Sequence, residues 1–596
     1  MTNDTWSIAK NLFKTVTRKK TFDDEVPKKS QLKRTLNLID LTALGVGSTL
    51  GCGVYALAGT VAKSIAGPAV VLSFALAAIA STFSGVCYAE FTCRLPKAGS
   101  AYVYSYVAIG ELIAFIIGWN LLLKNIIGTS AVAKTMSNYL DSLLGDPQKK
   151  YMKKYFTIHM DYMNEYPDVT SFLFILFITL FVAWGVRKSC NLNNLFTALS
   201  MLTICTVIVS GFYFVNLSNW FIPKNEIPAG VDGGKGGFFP FGWTGIVAGA
   251  ARCFYGFISF DSIVSAGEET KNPEKTMPLA IVLTFSFITF AYFGLASVLT
   301  LMWPYYDQDP SAPLLVIYDR LGTPVLKYLV TGGVMFALFT TLIGRLFPIP
   351  RILYAMSSDG LLFDFLAKIN KKTKTPFIAT IVCGVTVGLL SIVFDLEQLI
   401  DMASIGTLQS YMTICVCVLI LRYTDANNLC SRDVTVDSDG KYNFSTWLNL
   451  LNAKTPNVDT QYISRVLILV FSVSANLFCT SVAHWKYFQG ALQYALSIVI
   501  CISVVSLLLT MLMLTRLPQT IENLPFKVPL VPFVPCVSIV LNLYLMVELS
   551  FRTWLRFSVC QVIGLLVYAF YGIRHSLEGI KQQAKRDEEN RNEPIL

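Results

Sequence analysis

The sequence predicts an all-α, polytopic membrane protein of about 14 transmembrane helices. The 596-residue chain is 54% hydrophobic and only 14% charged, with a mean hydropathy of +0.54, which excludes an ordinary soluble globule of this size. Apolar stretches of roughly 18 to 25 residues recur along it, each long enough to span a bilayer as a helix. Lys and Arg gather in alternate connections, as expected of loops retained on the cytosolic side.

Taken in order, residues 1–35 form a polar, basic cytosolic tail. Within it Trp6 to Val16 reads either as a short amphipathic helix on the membrane surface or as disordered chain. The tail lacks the pattern of a cleavable signal, so the first span is expected to act as the anchor. Spans are expected to begin near Leu38, Ala69, Tyr104, Ser171, Leu195, Trp243, Leu279, Tyr328, Ile378, Leu399, Val466, Ala491, Val531 and Trp554. Arg94 and Lys97, Arg187 and Lys188, Lys271 and Lys275, and Arg351 with Lys368, Lys371, Lys372 and Lys374 all follow even-numbered spans. Both termini are therefore expected in the cytosol, against one contrary outer cluster at Lys149, Lys150, Lys153 and Lys154. The outer connections near 141–169 and 220–241 are too short for a folded domain. A polar inner linker over 423–464 divides a ten-span core over 36–422 from four additional spans over 465–573 and a cytosolic tail over 574–596.

Several function classes drop out. The 14 cysteines fall mostly inside spans with no CxxC pair, which supports neither a disulfide framework nor zinc. The three histidines are scattered, so no metal site and no cofactor is expected. The net charge of +10 reads as topology plus attraction to anionic membrane lipids, not nucleic-acid binding. No nucleophile constellation appears, and the glycine-rich run from Gly230 to Gly237 lacks the Gly-Lys-Ser/Thr of a phosphate loop, so an enzyme is not expected. Asn216-Leu-Ser218 is a glycosylation sequon at the outer end of the fifth span, close to the membrane.

Two spans are broken. The first carries Gly45, Gly47, Gly51 and Gly53, and glycine costs about 1 kcal/mol per helical position. The second break lies in the sixth span at Phe254-Tyr-Gly-Phe-Ile-Ser-Phe-Asp261. Freed backbone at membrane depth is tolerated where it lines a cavity or is buried in protein, and discontinuous helices hold solutes in secondary transporters. The amides of Gly51, Cys52 and Gly53 suit a carboxylate; small-xxx-small helix packing is the alternative. Carbonyls near Tyr255, Gly256 and Ile258 suit an ammonium group, with Phe254, Phe257 or Phe260 as cover. Asp261, the only acid of that span, either caps the resumed helix or meets substrate. Glu268 and Glu269 are candidates for a cytosolic gate, or plain surface charges. Five spans followed by five of inverted topology would bring both breaks to one repeat interface.

Gly45-Val-Gly-Ser-Thr-Leu-Gly-Cys-Gly-Val-Tyr55, Tyr88-Ala-Glu-Phe-Thr-Cys-Arg-Leu-Pro-Lys-Ala-Gly-Ser-Ala-Tyr102, Gly110-Glu-Leu and Gly118-Trp-Asn120 resemble the cationic amino acid transporters. So do Phe260-Asp-Ser, Gly267-Glu-Glu-Thr-Lys-Asn-Pro273, Arg351-Ile-Leu-Tyr-Ala-Met-Ser-Ser-Asp-Gly-Leu-Leu362, Lys374-Thr-Pro376 and Ser404-Ile-Gly-Thr407, in order from about Lys33 to Arg422. The resemblance implies the LeuT-type fold of the amino acid-polyamine-organocation superfamily, alternating access, and arginine, lysine and ornithine as substrates. It implies carboxylate binding at Gly51, Cys52 and Gly53, and amino-group binding at the carbonyls of Thr49, Tyr255, Gly256 and Ile258. Glu111 matches a glutamate associated with transport. No cysteine lies between Cys93 and Cys190, so the disulfide-linked heavy chain of the related light chains is not expected. The plasma membrane is the expected location, with lysosome or another organelle as the alternative.

The departures bear on substrate. The family's Gly-Trp-Asn is followed by Leu-Ile-Leu and a small or acidic residue, whereas this chain reads Trp119-Asn-Leu-Leu-Leu-Lys-Asn125. Lys124 then shares a helical face with Asn120 and Gly128, and Arg345 stands in the eighth span where a small residue is usual. A fixed cation about 5 Å from a cationic side chain repels it by roughly 3 kcal/mol at an effective dielectric near 20, about a hundredfold or more in affinity. Either Lys124 pairs with an acid and Arg345 snorkels to the inner surface, or the substrate is a neutral, acidic or γ-amino acid, or the chain senses amino acids without transport. Ser259 replaces a usual glycine, and Ser200 replaces a lysine that some bacterial relatives use in proton coupling, so facilitated, membrane-potential-sensitive uptake is expected over obligate ion coupling.

Overall fold

The computed structural model describes residues 18–20, 34–94, 99–156, 163–184, 186–228, 230–231, 233–310, 312–370, 375–424, 456–485, 488–520 and 524–592. The segment Trp6 to Val16, most of the 423–464 linker, and Lys371, Lys372 and Lys374 lie outside the described residues. Among the described residues the chain is helical, and its only extended pairings are isolated bridges. Ten helices among the described residues are long and apolar enough to cross a membrane, and Leu38–Thr49, Val169–Ala183, Phe377–Val393 and Phe533–Val547 are shorter apolar helices. The protein is an integral membrane protein.

The core is built from α1 (Leu38–Thr49), α2 (Cys52–Tyr55), α3 (Val70–Arg94), α4 (Glu111–Leu143), α5 (Val169–Trp184), α6 (Val186–Tyr213), α7 (Gly242–Cys253) and α8 (Asp261–Ser265). It continues with α9 (Pro273–Met302), α10 (Pro324–Leu346), α11 (Pro348–Ser358), α12 (Phe377–Val393) and α13 (Leu396–Arg422). After the linker come α14 (Val458–Trp485), α15 (Ala491–Arg516), α16 (Phe533–Val547) and α17 (Phe551–Val567). Starts follow local chemistry. The Asn37 amide donates to Asp40 Oδ2 (3.0 Å) at the head of α1. Proline occupies the first turn of α9, α10 and α11, where its missing N–H costs nothing.

The third span departs from its expected start at Tyr104. Ala101–Ala108 is a separate short helix, Gly110 adopts φ +151°, and α4 begins only at Glu111. That backbone angle is open to glycine and strained for other residues, so the chain turns there instead of continuing one helix.

α1 packs against α6, α9 and α10; α10 also lies on α4, and α13 runs along α4 and α16. α14 and α15 pair with each other. The periphery exposes Val209, Phe212, Phe290, Ile498 and Leu512, a surface suited to lipid and not to water. The two ends of the chain meet on one face: the Glu111 amide donates to Arg18 O (2.8 Å), Lys20 pairs with Asp359 (2.9 Å), and the Leu577 amide donates to Asp359 O (3.0 Å).

Candidate functional site

α1 stops at Thr49 because Leu50 turns extended (φ −73°, ψ 92°), and α2 resumes with the Val54 and Tyr55 amides returning to Gly51 O at 3.2 and 3.3 Å. The amides of Gly51, Cys52 and Gly53 are thus first-turn donors, without partners inside their own helix. Upstream, the freed carbonyls are taken by side chains from elsewhere. Thr341 Oγ1 lies 2.8 Å from Gly47 O and 2.7 Å from Leu50 O, and Tyr292 Oη donates to Thr49 O at 2.8 Å.

The second break runs from a 3-10 turn over Phe254–Phe257 through an extended Ile258 to α8. Ser259, between them, adopts φ +94°, a conformation that L side chains rarely take. Ser48 Oγ reaches across to Ser259 O (3.1 Å) and Ser262 Oγ (2.9 Å). Tyr292 Oη also lies 2.6 Å from Gly256 O. A single hydroxyl has one hydrogen, so Thr49 O and Gly256 O share it and retain acceptor capacity. A side chain on Gly53 would run into Gly256 Cα, and one on Gly51 would lie 2.6 Å from Thr341 Oγ1. The two breaks therefore touch backbone to backbone. Gly45 and Gly47 instead make room for Ile263 and Thr284, and for Thr340 and Thr197, which is helix packing.

Charges converge on the same place. Lys124 Nζ pairs with Asp261 Oδ2 at 2.6 Å, with side chains 0% and 1% exposed. Of the two readings of Asp261, the structure does not show capping of α8: Oδ2 accepts from Lys124, and Oδ1 is buried with no hydrogen-bond partner. Arg345 does not snorkel. It is 1% exposed, its Nη1 donates to Tyr255 Oη (2.9 Å), its Nε approaches Ser48 O (3.4 Å), and its guanidinium lies 4.6 Å from the Tyr255 ring centroid. The reason is the vacant side-chain position of Gly128, 2.5 Å from Arg345 Nη1, while Tyr255 Oη donates to Gly128 O at 3.0 Å. Gly128 and Lys124 thus share the face of α4 that meets the second break.

The remaining candidates lie elsewhere. Asn120 donates to Gln409 Oε1 (2.9 Å) and accepts from Gln561, tying α4 to α13 and α17. Glu111 accepts from Tyr106 (2.9 Å), Tyr568 (3.0 Å) and Ser576 (2.7 Å), so it fastens the C-terminal segment and touches neither break. Glu269 pairs with Arg351 at 3.2 Å in buried surroundings, and its carbonyl takes the Thr35 and Leu36 amides. Glu268, half-buried, also has a partner. Asn216 is exposed, with Oδ1 accepting from Ser218.

Tyr292, Thr341 and Ser48 carry no sequence expectation, and nor does Glu90. The Glu90 carboxylate takes both Arg422 Nε (2.9 Å) and Nη2 (2.8 Å), together with Arg94 (3.1 Å) and the Val528 amide (2.9 Å). An acid four residues before Arg94, inside an apolar span, is the signal that marks it.

The amino acid permease family model matches residues 36–453, and a model of the permease C-terminus matches 526–576. The human protein named cationic amino acid transporter 4 is 35% identical over 590 residues, covering 93% of this chain and 89% of that one. The Arabidopsis thaliana protein named cationic amino acid transporter 4, vacuolar, is 34% identical over 571 residues, covering 92% and 93%. A solved structure of MhsT in complex with L-phenylalanine aligns at 13% identity and a TM-score of 0.47, covering 80% of this chain and 99% of that one. The chain is a permease and not an enzyme, and it belongs to the amino acid permease family.

Proposed function

We propose that the chain moves amino acids across a membrane by alternating access, with the substrate held between the breaks of a LeuT-type core of five plus five inverted spans, followed by four more. The observation that carries this is the meeting of the two breaks: Gly53 lies against Gly256, and one Tyr292 hydroxyl reaches Thr49 O and Gly256 O together. Amides of Gly51, Cys52 and Gly53 receive the α-carboxylate, and the carbonyls of Thr49, Tyr255, Gly256 and Ile258 receive the ammonium group. The breaks are packed against each other here, so entry requires them to separate. The buried Glu269–Arg351 pair and the exposed-side Lys20–Asp359 pair stand on the face that binds the tails and act as its gate.

The names of the relatives make arginine, lysine and ornithine the first substrates to test, in facilitated uptake driven by gradient and membrane potential. We place the protein at the plasma membrane with cytosolic termini, in contact with membrane lipids and without a disulfide-linked heavy chain. The test is amino acid binding and uptake by the full chain in proteoliposomes, for wild type and Gly53→Leu. Binding and uptake should vanish in the variant while it still reaches the membrane. Full retention of binding would reduce the first break to helix packing.

A further inference from the structure

The closed junction of the two breaks holds more positive than negative charge. Lys124 and Asp261 neutralise each other at 2.6 Å. Arg345, 1% exposed, has no carboxylate within ion-pair distance among the described residues; its contacts are a hydroxyl, a carbonyl and an aromatic face. A buried charge is costly unless it is paired, so one positive charge in this site lacks a counterion. These contacts use two of the five N–H donors that a guanidinium offers in a rigid fork matched to a carboxylate.

Acceptors stand beside it. Asp261 Oδ1 is buried without a hydrogen-bond partner, and so are Tyr88 Oη and Ser259 Oγ. Tyr88 and the Lys124–Asp261 pair share one aromatic cluster: Tyr88 packs on Phe260 and Tyr411 with ring centroids 5.3 and 5.4 Å apart, and Lys124 Nζ lies 5.4 Å from the Tyr411 ring. An ammonium group satisfies Asp261 Oδ1, and a carboxylate satisfies Arg345. A zwitterion with a neutral side chain leaves the excess charge in place. A cationic amino acid doubles it, at a cost of roughly a hundredfold in affinity for a spacing of about 5 Å.

We infer that the site takes a dicarboxylic amino acid of the aspartate or glutamate type, with Arg345 binding its side-chain carboxylate and Asp261 Oδ1 accepting from its ammonium. The inference rests on reading the paired breaks as the substrate site. It is tested with the full chain in proteoliposomes, by uptake of radiolabelled glutamate, leucine and arginine in wild type, Arg345→Ser and Arg345→Lys, alongside thermal shifts of the purified proteins with each amino acid.

The wild type should favour glutamate over arginine at least tenfold and be stabilised by glutamate. Arg345→Ser should lose at least tenfold in glutamate uptake, lose the glutamate-dependent shift, and gain leucine or arginine uptake. Arg345→Lys, which keeps the charge without the fork, should fall between. Wild-type uptake of arginine equal to or above that of glutamate overturns the substrate class and leaves amino acid transport standing. Uptake of leucine alone, unchanged by Arg345→Ser, does the same. Neither uptake nor stabilisation with any of the three, in protein that is monodisperse, overturns the transport reading itself, and the inference with it.

Discussion

Removing one partner of the Lys124–Asp261 pair should damage the protein more than removing both. The pair is short at 2.6 Å and almost wholly shielded, at 0% and 1% exposure, so neither charge can turn to water when its partner is lost. Breaking a buried pair by one substitution costs about 3–5 kcal/mol, because an uncompensated charge remains, whereas replacing both members by apolar residues is often neutral or stabilising. Asp261→Asn carries the heavier penalty of the two, since it leaves Lys124 unpaired in the same junction as the already unpaired Arg345. Lys124→Met leaves Asp261 in a junction that still holds the Arg345 charge, beyond ion-pair distance, which offsets it in part. We therefore expect Asp261→Asn and Asp261→Leu each to lose about 3–5 kcal/mol, Lys124→Met less, and Lys124→Met/Asp261→Leu, the double variant of the cycle, to recover most of the loss. The assay is a double-mutant cycle on the unfolding of purified protein in detergent, with surface expression measured in parallel. Additive single effects, within about 0.5 kcal/mol, would refute the buried pair as a coupled unit.

Three more perturbations follow from the geometry. Ser259 sits at φ +94°, so Ser259→Gly should stabilise by about 1 kcal/mol; an unchanged or lower melting temperature in the same detergent would count against strain at this residue. Tyr292→Phe removes the one hydroxyl shared by Thr49 O and Gly256 O, which should cost about 1–2 kcal/mol and loosen the breaks, read as faster cysteine labelling at an introduced Ser48→Cys; unchanged labelling would show that the bridge does not hold them. Lys19 is exposed as a residue, but its ammonium donates to Ala108 O (2.9 Å), and partial desolvation of that end, with Arg465 second, pushes it down to about 8. A free tail then binds more protons than a docked one between about pH 8 and the ordinary lysine value near 10.4, so docking strengthens as pH rises through that window and is weakest below it. Hydrogen exchange at residues 18–20, corrected for intrinsic rates, should show greater protection at pH 9.5 than at pH 7; pH-independent protection would contradict the desolvation of this ammonium.

The breaks were legible because their signal is local. Four glycines within nine residues mark the first, and the Tyr-Gly turn ahead of Asp261 marks the second. What holds the breaks was not legible, because it arrives from far along the chain: Ser48 meets Ser259 across 211 residues and Thr341 meets Gly47 across 294. No periodicity in either segment encodes such a contact. Lys124 was conspicuous as a charge at membrane depth, but its partner lies 137 residues away, and only packing of α4 against the second break selects Asp261. Arg345 stayed open in the sequence for a related reason. Snorkelling is the ordinary outcome for a long cationic chain in a span, and the absent side chain of Gly128, on a different helix, is what lets it turn inward instead. Glu111 shows the converse: a motif match located it, while its hydrogen bonds to Tyr568 and Ser576 place it at the seam with the C-terminal segment.

Arg345 also joins selectivity to conformation. Its guanidinium touches the Ser48 carbonyl of the first break and the Tyr255 hydroxyl of the second, while Tyr255 is anchored to Gly128 of α4. The tie between the two broken helices therefore runs through a cation whose charge is unmatched. Any carboxylate that draws the guanidinium toward itself must weaken its hold on Ser48 and Tyr255, and by reciprocity any separation of the breaks must alter the affinity for that carboxylate. A neutral residue at position 345 removes both terms at once. Its effect on substrate preference should accordingly be inseparable from an effect on how readily the breaks part, whereas Thr341, which holds Gly47 and Leu50 from the same helix without charge, affects only the second.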